Sequence, residues 1–370
     1  MRILYDHQVF SLQNAGGASR YYYELARYFA ARADTQLDLV LGFSGTALPF
    51  RNLSSSSTRV ILLSTKLPPG LPRYVINELL GNAVAIFRGK FDIYHPTLYR
   101  SMPMVRSRKI VVTHHDCVHE RFPDLFPNVD RIIRAKRKLF AAADAVICVS
   151  ESSRRDLVRF YKVDEKKLCV VYHGLSRLQR DPVGAGQFRS GRSKPYVLYV
   201  GSRARYKNFE GLLRAFAQCH LQDTVDLVVV GGGPLRATEL AAARELGIDR
   251  VLDVFPSASD AVLAEAYANA ELFVYPSLCE GFGFPPLEAM SLGCPVLVSH
   301  SSSLPEVCRD GASYFDPADP DSLARALAGA LSLKAANAPV IARGREIAAG
   351  FDWHCCGQQT YDVYRTCLQS

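Results

Sequence analysis

The chain reads as an α/β protein of two domains, each a parallel β-sheet covered by helices. Three observations lead there. A length of 370 residues suggests two domains and is ample for two sizeable cores. Apolar runs rich in Val, Ile and Leu alternate with helical patterns from end to end. Runs that are continuous, not alternating with polar residues, mark strands buried on both faces, as in parallel sheets. Between Leu178 and Lys194 the apolar period stops and Arg, Gly, Ser and Asp accumulate, which marks a domain junction.

In order, the first domain (residues 1–180) holds candidate strands at Ile3–Tyr5, Leu37–Leu41, Val60–Leu63, Ile93–His95, Ile110–Thr113, Ala145–Val149 and Cys169–Tyr172. The second (190–350) holds them at Tyr196–Val200, Asp226–Val230, Val251–Phe255, Leu272–Tyr275, Pro295–Val298 and Ser313–Phe315. The stretch 351–370 has a helical pattern from Asp352 onward. After the first strand comes Gln13–Ser19 with the pair Gly16-Gly17, then a helix predicted over Arg20–Ala33. A glycine pair between strand and helix lets backbone approach a ligand closely; a plain tight turn is the competing reading. Ser54–Ser57 reads as a loop. Gly231-Gly232-Gly233-Pro234 reads as a strand-to-helix turn, since the downstream glycine of a dinucleotide fingerprint is missing. Asp319-Pro320-Asp321 stands just before a helix over Ser322–Leu333 and reads as an N-cap, not as a metal-binding Asp-x-Asp.

With 48% hydrophobic and 22% charged residues, the composition is that of an ordinary globular protein. No run of eighteen apolar residues exists, and Met1–Phe10 lacks the basic start and long apolar core of a signal peptide. Ten scattered cysteines without a Cys-x-x-Cys pair fit reduced thiols and a cytoplasmic location. The net charge of +8 is uneven: residues 1–185 hold 28 Lys+Arg against 16 Asp+Glu, a net of +12, and the remainder is −4. A basic first half suits an anionic partner such as a lipid diphosphate or a membrane surface. Nucleic acid ranks lower, because no nucleic-acid motif accompanies the charge. Arg131, Arg134, Lys136, Arg137 and Lys138 share one predicted helix; it is either a docking face or an ordinary solvated one.

The chemistry concentrates in Ser277–Ser299. Glu280 and Glu288 stand either side of the turn Gly281-Phe282-Gly283-Phe284. Pro285 and Pro286 then open a short helix, and Gly293 closes it. Glu288 is expected in the first turn, where the helix dipole favours a negative group. Backbone amides ahead of such a helix can hold phosphate. Two further segments carry candidate ligands. Val111–Phe122 contains His114, His115, Asp116, Cys117 and His119, a set whose spacing matches no usual zinc pattern. Val200–Phe209 places Arg203, Arg205 and Lys207 just after a strand, where cations meet ligands in open α/β sheets.

The stretch EGFGFPPLEAMSLGCPV resembles the Glu-x7-Glu signature of family 4 glycosyltransferases, retaining enzymes with the GT-B fold, and weaker matches run from the first strand to the last helix. That resemblance implies two Rossmann-like domains with parallel sheets facing an interdomain cleft, and a last helix that crosses back onto the first domain. It implies a nucleoside-diphosphate sugar on the second domain and a saccharide or lipid-diphosphate-linked acceptor on the first, with no cofactor and no metal. Gly16 and Gly17 match the family's glycine loop. His115 and Asp116 match its His-Asp pair, whose histidine contacts the donor sugar. Lys207 matches the lysine that binds the donor diphosphate, and Tyr206 replaces the adjoining arginine, so Arg203 or Arg205 supplies the second cation, with Arg203 favoured. Glu280 is implied to bind sugar hydroxyls, Glu288 the ribose, and the amides of Phe282, Gly283 and Phe284 the phosphates. Overall likeness to bacterial polysaccharide mannosyltransferases points to GDP-mannose or a GDP-deoxysugar. A sugar-nucleotide epimerase of the same fold and a non-catalytic nucleotide- or carbohydrate-binding protein are the alternatives.

Overall fold

The structure, a computed structural model, describes residues 1–14, 16–66, 72–99, 105–180, 194–332 and 338–370. Ala15 and most of the predicted junction, residues 181–193, lie outside the described residues. The chain divides into two compact units: Met1–Gly174 with Asp352–Ser370, and Leu175–Phe351.

The first unit holds strands β1 (Arg2–Tyr5), β2 (Gln36–Phe43), β3 (Thr58–Ser64), β4 (Phe91–His95), β5 (Ser107–His114), β6 (Ala145–Cys148) and β7 (Leu168–Val170). They form one parallel sheet in the order β3-β2-β1-β4-β5-β6-β7, with Ile3 opposite Leu37 on one side and Ile93 on the other. Its helices are α1 (Gln8–Leu12), α2 (Gly17–Ala30), α3 (Arg73–Arg88), α4 (Val118–Arg121), α5 (Val129–Ala142) and α6 (Glu151–Tyr161). The second unit holds β8 (Tyr196–Val200), β9 (Asp226–Val230), β10 (Leu252–Phe255), β11 (Leu272–Tyr275), β12 (Val296–Ser299) and β13 (Ser313–Phe315). These are again parallel, in the order β10-β9-β8-β11-β12-β13. Its helices are α7 (Phe209–Gln218), α8 (Ala237–Glu245), α9 (Asp260–Ala268), α10 (Phe284–Ser291), α11 (Leu304–Cys308), α12 (Ser322–Ser332) and α13 (Ala338–Ala349). A final helix, α14 (Trp353–Gln369), belongs to the first unit and packs on α2.

Two-sided burial explains the continuous apolar runs, because successive side chains of a strand leave by opposite faces. In the first sheet Ile3, Tyr5, Leu37 and Ile93 pack with Tyr21, Leu25 and Phe29 of α2 and Tyr364 of α14. Leu4, Val40 and Tyr94 pack on the other face with Ala85 of α3. Val112 and Val146 pack there with Leu139 and Phe140 of α5, and Ile110 touches both of these last clusters. In the second unit Val197, Tyr199, Leu227 and Val229 meet Phe209, Leu212 and Phe216 of α7 and Leu323 and Leu327 of α12. All ten thiols are unpaired, and only Cys355 is exposed. No described helix is long and apolar enough to cross a membrane.

Helix α2 starts three residues before the predicted Arg20. Its first turn is Gly-Ala-Ser, and the Ser19 hydroxyl and Arg20 N–H both return to the Gly16 carbonyl. At its other end the Thr35 hydroxyl takes the Phe29 carbonyl, and the chain leaves the helix before Ala33.

In both sheets the strand order reverses at the first strand, so that β1 lies between β2 and β4 and β8 lies between β9 and β11. Chains leaving two neighbouring strands in opposite directions open a crevice at their carboxyl ends, where ligands of open α/β sheets bind. In the first unit Asp6 ties together the loops that follow β1 and β4 at this point. Its carboxylate accepts from the Thr97 N–H (2.9 Å) and hydroxyl (2.7 Å), the Tyr94 hydroxyl (2.6 Å) and Gln8 Nε2 (2.7 Å). In the second unit the corresponding loops carry Lys207 and Glu280.

Candidate active site

Lys207 ends a short 3₁₀ turn, Arg205–Lys207, that follows β8. Glu280 lies in the loop that follows β11. The reversal of strand order brings these residues, 73 positions apart, into contact. Lys207 Nζ donates to Glu280 Oε1 (2.5 Å) and to the Tyr275 hydroxyl (2.9 Å). Both charged side chains are only 13% exposed, so the pair is partly withdrawn from water. Burial works to lower the ammonium pKa, but the Glu280 carboxylate outweighs it and holds Lys207 above its usual value. Lys207 is therefore charged throughout the physiological range. The Leu278 N–H, donating to the Tyr206 carbonyl (2.8 Å), ties the two loops together.

A row of serines that the sequence reading passed over fixes Glu280. The Ser302 hydroxyl accepts the Glu280 N–H (3.2 Å) and donates to the Glu280 carbonyl (2.6 Å). Ser303 donates to the carbonyls of Glu280 (3.0 Å) and Phe282 (2.8 Å), and Ser301 to that of Leu278 (2.8 Å). Ser302 sits at φ +57°, an uncommon conformation for a residue with a side chain. The available signal was a Ser-Ser-Ser run between a strand and a proline-started helix, Ser301–Pro305.

Gly283, at φ +111°, caps α10, and a side chain there would come within 2.9 Å of Leu304. Pro285 and Pro286 lack N–H groups, which removes two donors that a helix start otherwise leaves unpaired. Gly293, at φ +76°, closes the helix, its N–H on the Met290 carbonyl. Glu288 is a correction. The helix starts at Phe284, so Glu288 stands in the second turn, not the first, and the dipole at the helix start is weaker there. Its Oε2 accepts from the buried Tyr267 hydroxyl (3.2 Å).

Arg203 is the second correction. Its side chain is 3% exposed and its donors are engaged within the unit, whereas the reading favoured it as the second cation on the diphosphate. Nε donates to Glu239 (3.1 Å), and the terminal nitrogens donate to the carbonyls of Gly231 (2.7 Å), Gly232 (3.2 Å), Gly233 (3.0 Å) and Pro234 (2.7 Å). The three glycines all have φ between +76° and +90°, which turns successive carbonyls onto one guanidinium. Arg203 is thus the peg of the glycine turn. Arg205, exposed in the turn that ends at Lys207, is the cation left facing water.

In the first unit His115 and Asp116 follow β5. The His115 N–H donates to the Tyr99 hydroxyl (3.0 Å), and its ring packs edge-on to Tyr21 and stacks on His173. Burial pushes the imidazole down to about 4, against a smaller upward pull from Asp116, so it is neutral at neutral pH. Its Nε2 is buried without a protein partner. Burial works to raise the Asp116 carboxyl, but Lys136 and the Val118 N–H outweigh it and leave the group below its usual value. Lys136 is a third correction. Far from joining a solvated cationic face, its side chain is 1% exposed and donates to Glu120 (3.0 and 3.2 Å) and the Asp116 carbonyl (3.0 Å). Helical spacing held the clue, since Lys136 shares a face with Leu139 and Phe140. Gly16 and Gly17 sit at the start of α2, with Gly16 in extended backbone at φ 165°. Among the described residues no three His, Cys, Asp or Glu side chains gather as metal ligands. Asp319 accepts the Asp321 N–H (3.0 Å) and pairs with Arg325, just before α12.

Comparison with known proteins places this geometry. Residues 15–177 match the model described as Glycosyltransferase Family 4, and residues 186–347 that described as Glycosyl transferases group 1. The chain is 30% identical to the O-antigen chain mannosyltransferase B of Escherichia coli, over 94% of this chain and 96% of that one. It is 28% identical to the MMP alpha-(1->4)-mannosyltransferase of Mycolicibacterium hassiacum, over 76% of this chain and 72% of that one. Its fold is that of Anabaena HepE solved with UDP-glucose, with TM-score 0.76 at 18% identity over 99% of this chain and all of that one. With the two-sheet architecture and the near full-length match, the chain belongs to the family 4 glycosyltransferases and has the GT-B fold.

Proposed function

We propose that this glycosyltransferase moves a mannosyl or closely related hexosyl residue from a GDP-sugar to a saccharide or lipid-diphosphate-linked saccharide. The setting is synthesis of a bacterial surface polysaccharide, on the cytoplasmic side of a membrane, with retention of anomeric configuration. Two relatives named as mannosyltransferases support the sugar, one of them matching almost end to end. The observation that carries the chemistry is the Lys207–Glu280 pair at the strand-order reversal of the second unit.

The obstacle in glycosyl transfer is charge that builds on the departing diphosphate as the anomeric carbon turns cationic. Lys207 and Arg205 offset it, with the amides at Gly283 and Phe284, by electrostatics arranged before the reaction. Glu280 orients Lys207 and accepts from sugar hydroxyls. Glu288 takes the ribose. His115, held neutral, and Asp116 take the sugar-contacting role, and Gly16 and Gly17 let backbone approach the ligand. The leaving phosphate takes the acceptor proton, so no protein base is required. Nor is a divalent ion. Transfer is expected to continue in EDTA, and a loss that Mg²⁺ or Mn²⁺ restores would contradict this.

The donor reading is tested by melting the protein with GDP, UDP and ADP. GDP is expected to raise the midpoint most, because a ligand that binds only the folded state stabilises it. A larger shift with UDP overturns the guanine assignment. The same titration separates the two carboxylates. Glu288→Ala is expected to weaken nucleotide affinity by about 1.5–3 kcal/mol, as for a lost hydrogen bond to a charged group. Glu280→Gln is expected to leave that affinity nearly intact and lower turnover. Equal weakening by both would end the division of roles.

A further inference from the structure

Helix α3 is built inside out. Its buried positions are small or polar: Asn77, Gly81 and Ala85, four residues apart. Asn77 clamps the end of β2, with Oδ1 taking the Phe43 N–H (2.7 Å) and Nδ2 donating to the Phe43 carbonyl (2.9 Å) and to Ser11 Oγ (2.7 Å). Gly42, at φ +63°, makes the room, since a side chain there would lie 2.2 Å from Asn77. Tyr74 and Val84 pack at the edges of this buried strip, against His7 and the core beneath, but four large apolar residues point the other way. Val75, Leu79, Ile86 and Phe87 are exposed, Phe87 to 88%. A helix that only covers a core shows the reverse pattern. Leu12, on α1 against α3, and Leu63, on edge strand β3, are the other exposed large hydrophobic residues among those described, and none of the described residues of the second unit is one. Clustered apolar exposure of this kind marks an interaction surface.

Charge indicates what covers it. Helices α3 and α5 lie on the same face of the first sheet, since Ile110 packs against the cluster beneath each. From α5, Arg131, Arg134, Arg137 and Lys138 are exposed. Between Ile61 and Lys90 the chain carries Lys66, Arg73 and Lys90, besides Arg88 which pairs with Asp38, against the single acid Glu78. A second copy docked by a two-fold would set this cationic surface against itself. An anionic bilayer satisfies both features, taking the apolar ridge at the acyl boundary and the cations at the headgroups.

We propose that the α3–α5 face seats the first unit on an anionic lipid surface, with α3 supplying the apolar contact. This rests on the membrane-side setting given above and names the surface that achieves it. The test is co-sedimentation of the full chain with vesicles of phosphatidylcholine alone and of phosphatidylcholine mixed with phosphatidylglycerol. Wild type is expected to prefer the mixed vesicles. The double variant Leu79→Ser, Phe87→Ser should lose on the order of tenfold or more of that binding, since apolar burial sets interfacial affinity. Arg134→Glu with Arg137→Glu should lose binding mainly at low salt, where charge is least screened. Phe87→Trp keeps the ridge intact and reports on it directly, through a blue shift in its emission (relative to wild type) on mixed vesicles. Transfer to a lipid-free acceptor should be unchanged in the α3 variant, and it reports the enzymatic reading separately. Wild-type binding that survives the α3 substitutions, or no blue shift from Phe87→Trp on bound vesicles, overturns the role of α3 while leaving the membrane setting standing. Absence of binding to either vesicle overturns both. A wild-type dimer that the α3 variant dissociates would make the face a homodimer interface and overturn the proposal.

Discussion

Lys207→Ala is expected to lower kcat/KM for transfer by about 2–4 kcal/mol, a fall of roughly two orders of magnitude. The side chain is only 13% exposed, so its charge acts through a medium less screening than water. Removing it also leaves Glu280 without its cation, beside the Tyr275 hydroxyl to which the ammonium had donated. Both effects oppose an accumulating negative charge on the leaving group. The loss should fall on kcat more than on KM, because the charge to be offset is greatest in the transition state. Lys207→Arg keeps the charge but replaces a compact ammonium with a planar fork, so it should recover only part of the rate. Steady-state kinetics with the donor varied decide the matter. A wild-type rate in Lys207→Ala would remove Lys207 from the mechanism.

For Arg203→Met the expected result is loss of stability by about 3–5 kcal/mol, the usual cost of stranding one partner of a buried ion pair. Glu239 would keep only Arg236 and its backbone contact, and four carbonyls of the Gly231–Pro234 turn would lose their donor. In a unit of this size that should lower the melting midpoint by about 10 °C. Arg205→Ala should do the opposite: melting unchanged and kcat/KM lower by about tenfold, as for a lost charge contact of modest strength. Calorimetry of both variants beside their kinetics separates the roles. Wild-type melting in Arg203→Met together with lost nucleotide affinity would return Arg203 to the phosphate.

The fold was legible because its strands are buried on both faces. Tyr196–Val200 and Leu227–Val230 read as unbroken apolar runs for that reason, and the strands that hold them, β8 and β9, have the predicted bounds. Helix ends were less so: Gly17–Ser19 looks like loop by composition, and only its hydrogen bonds to Gly16 make it a first turn. At the candidate site, residue types could be read but not directions. Arg203 and Arg205 are two positions apart in one loop, and which of them points inward depends on four carbonyls some thirty residues later. Lys136 carried its own signal, a cation at a core spacing, which the charge count around it concealed. Ser301–Ser303 act through hydroxyls on backbone, and such contacts leave no periodic trace.

The return of α14 to the first unit has a consequence for how the chain is made. Tyr364 stacks on Phe29 and joins Tyr5 and His95 in a buried hydrogen-bonded chain, at 3.0 Å and 2.5 Å. Gly357 lies so close to the Tyr28 ring that any side chain there would collide with it. The first unit is therefore discontinuous and the second, Leu175–Phe351, is an uninterrupted insert within it. The insert holds all of its own strands and helices and needs nothing from the segment that follows it to close its core. The earlier-made unit must meanwhile wait, its Tyr5–Phe29 surface unsealed, until some 190 later residues have been translated. The unit begun first is thus the one completed last, and its unsealed face is exposed for most of the chain's synthesis.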